Sequence, residues 1–128
     1  MLPPASSFIR GIEFYLRRHR IEARLDATSI ADALAQAERL AAGNERDEPA
    51  ALFFSCAERS QAFFPEASNV VPHVVRAHAG ALGLDLRAAD VALDIHHARV
   101  LRGEMSFDEL RDWFAARLVP IGPPPRAP

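Results

Sequence analysis

Residues 69–83 read Asn69-Val70-Val71-Pro72-His73-Val74-Val75-Arg76-Ala77-His78-Ala79-Gly80-Ala81-Leu82-Gly83, and this stretch decides the fold. Val71, Val74, Val75, His78 and Leu82 recur at helical spacing, and the apolar residues spread so far round the wheel that the helix must be buried on nearly every side. Ser68 or Asn69 caps its start, Pro72 falls in its first turn, and Gly83 supplies a left-handed stop. A helix of that profile needs other elements packed around it.

The flanking sequence supplies five more helices. Upstream, Pro49 opens a helix with Leu52, Phe53, Cys56, Ala57 and Ser60 inward, ended by Pro65. Before it, a helix opening near Thr28 or Ser29 carries Ile30, Leu34, Ala37 and Leu40 on one face and stops at Gly43. The first helix runs from about Ser7 to Arg20, with Phe8, Ile12, Tyr15 and Leu16 in register and Arg17, Arg18 and Arg20 at its negative end. Downstream, Asp85 is read as the cap of a fifth helix carrying Leu86, Ala89, Leu93, Val100 and Leu101, stopped by Gly103. Ser106 followed by Glu109 is a capping box, the sharpest start in the chain, with Phe107, Leu110, Trp113, Phe114 and Leu118 behind it. No stretch alternates polar and apolar residues long enough to predict a strand. The expected fold is all-α, about six helices around a central buried one, as a single domain over residues 1–118. Residues 1–5 and the Pro-rich segment 119–128 are expected to be loose tails.

Composition narrows the function classes. The 128 residues, 49% hydrophobic and 25% charged, suit one globular domain. A net charge of -2 gives no general attraction to nucleic acid. The cluster Arg17, Arg18, His19, Arg20 and Arg24 lacks interleaved aromatics and reads as a solvated face with Glu13 and Glu22 nearby. The single Cys56 has no cysteine partner and reads as a buried thiol in a reducing compartment, and no apolar run reaches bilayer length or follows signal-peptide order. The expected location is the cytoplasm.

The histidines do not assemble a catalytic set. His96 and His97 are about 100° apart on a helix, and do not converge as an i, i+4 pair would. Asp90, Asp94 and His97 share a face that could hold a metal, but Arg87 on the same side can pair with Asp90, which favours a solvated charged face. His73 and His78, on the buried helix, read as hydrogen-bonded interior or boundary residues.

The segment Ala62-Phe63-Phe64-Pro65-Glu66-Ala67-Ser68-Asn69-Val70, between two helices, resembles in degraded form the signature loop of the Fic/Doc (death-on-curing) family: His, any, Phe, any, Asp or Glu, Gly or Ala, Asn, a variable position, then Arg. Phe64, Glu66 and Ala67 match, whereas the catalytic His falls on Ala62, the Asn on Ser68 and the Arg on Val70. Shifting the register by one places Asn69 on the family's Asn but Phe63 on its His, Pro65 on its Phe and Val71 on its Arg, so neither register has the base. The helix order over residues 28–118 is also similar to the Doc-like half of the family.

The resemblance implies a degenerate domain, like the toxin component of a bacterial toxin–antitoxin pair. Transfer of AMP or phosphate from a nucleotide to a protein hydroxyl would be weak or lost. It further implies that Phe64, Glu66, Ala67, Ser68 and Asn69 form what remains of a nucleotide site, that Glu66 holds Mg2+, and that the partner is a protein, antitoxin or target. Ala62 cannot accept a proton, and loss of general-base help costs roughly 10² to 10⁴ in rate. An acidic residue just before a helix start also complements the dipole without any ligand, and that reading of Glu66 stands beside the first. The alternative function is a non-catalytic helical interaction module using the aromatic last helix around Phe107, Trp113 and Phe114.

Overall fold

The computed structural model describes residues 1–22, 24–59 and 67–122, with the backbone only of Ala67 and Ser68. Among them are six α-helices: α1 (Ala5–Arg18), α2 (Ala27–Ala41), α3 (Glu48–Glu58), α4 (Ala67–Ala81), α5 (Asp90–Leu101) and α6 (Phe107–Ala115). Two short strands, β1 (Leu84–Leu86) and β2 (Leu118–Pro120), pair antiparallel with Leu84 opposite Pro120 and Leu86 opposite Leu118. The fold is predominantly helical, and no described helix is long and apolar enough to cross a membrane.

Local chemistry sets most boundaries. Asp26 caps α2, its Oδ1 accepting from the Thr28 and Ser29 amides at 3.0 and 3.2 Å, two or three residues earlier than the Thr28 or Ser29 cap read from the sequence. The Ser29 amide, first among the causes, holds the Asp26 carboxyl below the usual range. The capping box at α6 forms as its residues require: the Glu109 amide donates to Ser106 Oγ at 3.2 Å and the Ser106 amide to Glu109 Oε1 at 3.2 Å. Pro72 lies inside α4 rather than in its first turn, because the helix begins at Ala67; its missing N–H removes one backbone hydrogen bond there.

The core gathers around α3, where Ala50, Ala51, Leu52, Phe53, Cys56 and Ala57 are all buried and α2, α4, α5 and α6 pack against them. Phe53 meets Phe114 at 5.5 Å between ring centroids and the edge of His97 at 6.2 Å. Burial of such a side chain contributes about 1.5–3 kcal/mol. Cys56 is a buried thiol, as expected, and loss of water pushes its pKa up to about 12. Glu48, at the start of α3, is buried as well and meets His78 of α4 at 2.8 Å, so His78 is the hydrogen-bonded interior histidine that the sequence suggested.

Four expectations are corrected. Asp85 does not cap a helix: Leu84–Leu86 forms β1, and α5 starts at Asp90, because Leu86 finds its partner in Leu118 across the ribbon. Val119 and Pro120 pair with β1 instead of lying in a loose tail. The first residues are also held, with Leu2 buried and the Met1 amine 3.0 Å from Glu45 and 3.2 Å from Glu48. Finally, α4 is not covered all round, since His73, Ala77 and Gly80 face out.

Candidate functional site

A groove of about 590 Å³ lies between α1, α4 and α5. Helical spacing brings its polar members together. Tyr15 and His19 are one turn apart on α1, Asn69, His73 and Arg76 follow one another along α4, and Asp90 and Asp94 are one turn apart on α5. The Tyr15 ring lies 4.3 Å from the His19 imidazole and 4.7 Å from that of His73, tilted by 36° and 42°, so the three rings pack on one another as a cluster in the groove wall. Partial burial, and secondarily the charge of His19, hold the His73 pKa below the ordinary imidazole range. His73 is therefore neutral near pH 7 and available as a proton acceptor.

Arg76 is the groove's guanidinium, and the fold already engages it. Its Nη1 donates to the Leu86 carbonyl at 2.8 Å, and its Nη2 donates to the Ala88 carbonyl at 2.6 Å and to Asp90 Oδ1 at 3.0 Å. It ties α4 to the link between β1 and α5. Asp90 thus pairs with Arg76 and not with Arg87, which reaches Asp85 at 3.5 Å instead. Asp94 is exposed at the groove's edge.

Phe64 and Glu66, like Ala62, lie outside the described residues. Ala67 and Ser68 start α4, with only their backbone described, and Asn69 is exposed in the first turn of α4 and lines the groove. His97 does not join Asp90 and Asp94 on a solvated face. It is buried in the stripe Leu93, His97, Val100, where desolvation lowers its pKa against the opposing pull of Asp94. His96 turns away as well: its Nδ1 donates to the Ala92 carbonyl at 2.7 Å, and its ring stacks on Trp113 at 4.1 Å. Among the described residues no group of three or more His, Cys, Asp and Glu could hold a metal ion.

The lining offers an anion little: the guanidinium is engaged, the imidazole of His73 is neutral and Asp94 opposes a negative charge. The resemblance would assign Mg2+ to Glu66, which lies outside the described residues. Tyr15, His19, His73 and Arg76 were not read as a set in advance, because they become neighbours only when α1 packs on α4. The i, i+4 repeat of Tyr15 and His19 beside the i, i+3 repeat of His73 and Arg76 was the available signal. No family model, curated protein or solved structure matches the chain.

Proposed function

We propose that this chain is a degenerate Fic/Doc-like domain, toxin-component-like in its role within a toxin–antitoxin pair in the cytoplasm, in which AMP or phosphate transfer is weak or lost and binding remains. The observation that supports this reading most is the position of the groove. It opens against the first turns of α4, the helix that follows the signature-like loop, where Asn69 lines it. A helix start offers backbone N–H groups to an anion, and the rings of Tyr15, His19 and His73 line the same groove. Neither Ala62 nor Val70 can supply the base or the phosphate clamp of the family pattern, and Arg76 is not free to replace the latter.

Calorimetric titration with ATP and Mg2+ tests the reading. The wild type is expected to bind in the millimolar range, with binding lost in Glu66→Ala and reduced in Tyr15→Ala. Absence of heat in the wild type at millimolar nucleotide removes the nucleotide-binding version.

A second reading, a non-catalytic interaction module, has its own observation. Val91 and Ile95, one turn apart on α5, are 66% and 55% exposed, and Phe107 and Trp113 are only partly covered. Phe114 is fully buried and drops out of that surface. The double variant Val91→Asp/Ile95→Asp should release a bound partner protein while leaving the ATP titration unchanged; retention of the partner rejects this face.

A further inference from the structure

The outer side of α1 carries a charged face that the groove does not use. Residues 7–24 hold five arginines and two glutamates, a net charge of +3 in a chain whose total is -2. The apolar stripe of α1, Phe8, Ile12 and Leu16, is buried, so the opposite stripe faces water. On it stand Arg10, Phe14, Arg17 and Arg18, at i, i+4, i+7 and i+8, all exposed, with Phe14 at 59%. The expectation of an arginine cluster without interleaved aromatics is corrected here. In the sequence Phe14 stands apart from the run, but one helical turn brings it beside Arg10 on one side and Arg17 and Arg18 on the other.

The fold leaves these cations unengaged. Among the described residues no carboxylate lies within ion-pair distance of Arg17, Arg18, Arg20 or Arg24, and Glu13 and Glu22 pair with none of them. Arg10 donates to Ser7 Oγ at 3.4 Å, near the limit of a hydrogen bond. Arg17 and Arg18 complement the helix dipole, but Arg10 lies two turns too early to do so. Arg20 closes the helix at a left-handed φ of 55°, with the Ile21 amide donating to the Leu16 carbonyl at 2.8 Å. Stability alone favours glycine at such a position, and here it carries a further exposed guanidinium.

We propose that this face binds single-stranded nucleic acid, with the guanidiniums of Arg10, Arg17 and Arg18 on backbone phosphates and Phe14 stacked on an unpaired base. A guanidinium fork matches phosphate oxygens two at a time. Every base has a π-face, so an exposed ring among cations holds a single strand without reading its sequence. In a duplex the base faces are covered by their neighbours, which leaves the arginines their phosphates and Phe14 nothing. A membrane surface fits less well. An interfacial helix needs a broad apolar face, and in α1 that face is in the core, with Phe14 its one exposed large apolar side chain.

The test is fluorescence anisotropy of a labelled single-stranded oligonucleotide of about 12 nucleotides, titrated with the full chain at about 50 and 200 mM salt. Binding should saturate and weaken with salt, each arginine on a phosphate adding about 0.7 to the slope of log affinity against log salt. Arg17→Ala/Arg18→Ala should lower that slope by about 1.4 and weaken binding at least about tenfold at the lower salt. Phe14→Ala should keep the slope, weaken the single strand at least about fivefold and leave a duplex of the same sequence unaffected. An unchanged urea midpoint shows that the variants fold. Four results overturn the proposal: no saturable binding at the lower salt, an unchanged slope in the double variant, equal affinity of wild type and Phe14→Ala, or tighter binding to phosphatidylserine vesicles than to the oligonucleotide.

Discussion

α3 and α5 are helices of similar length, 11 and 12 residues, that pack against each other, and both are rich in apolar side chains. Nine residues of α3 are buried, including a glutamate and a serine, whereas in α5 only Leu93, His97 and Val100 are. The difference lies in the neighbours. α3 is enclosed by α2, α4, α5 and α6, while α5 rests on α3 and α4 and leaves Val91, Ile95 and Leu101 in water. Apolar content therefore does not separate the helix that holds this fold together from the one that presents a surface.

The sharpest way to break the comparison is to truncate one residue in each helix. Phe53→Ala, which removes a fully buried ring touching Phe114 and His97, should cost about 3–5 kcal/mol in urea unfolding. An equal loss from Ile95→Ala would contradict the reading of α5 as a surface helix.

A smaller effect comes from pH. Burial holds His97, and in part His73, below the ordinary imidazole pKa of about 6.5. Between that value and the lower folded one, the unfolded chain binds more protons than the folded chain. Stability therefore rises with pH through this window, is fully present above it, and is lost as pH falls. Thermal melts at pH 7.5 and 5.5 should show a lower Tm at the acid value, and His97→Gln should shrink the difference; a Tm unchanged between the two would mean that His97 is charged at little cost inside the fold. The carboxylates of Asp26 and Glu109, both held low by cap hydrogen bonds, act in a separate and more acidic window.

The smallest expected change is that of Val91→Asp/Ile95→Asp, within about 0.5 kcal/mol of the wild type. A larger loss in urea unfolding would place these side chains in the core and remove the surface that the second reading of function requires.

How far the sequence could be read follows from the range of each interaction. The capping box of Ser106 and Glu109 was legible because both partners lie within one turn, and so was the inward stripe of α2, which repeats every three or four residues, whereas α3 is buried on nearly every side. β1 was misread because Asp85 resembles a helix cap, and the strand that overrides this reading, Leu118–Pro120, is distant in the sequence. His73 and His78 differ by five positions on one helix, yet one is exposed at a groove and the other buried against Glu48. Periodicity places them on different sides without saying which side α3 covers. Of the groove, Asn69, Asp90 and Asp94 were singled out in advance, but the Arg76 to Asp90 pair and the ring cluster depend on how three helices meet.

Cys56 has a practical consequence. Its thiol is enclosed among the α3 neighbours, with a pKa near the top of the measurable range, about 12, so almost no thiolate exists at neutral pH to react with maleimide or iodoacetamide. The native chain therefore already behaves as a cysteine-free background for labelling. A cysteine introduced at Ile95, 55% exposed, would carry a fluorophore or spin label at that one position, and the outer face of α5 could be watched without first altering the core.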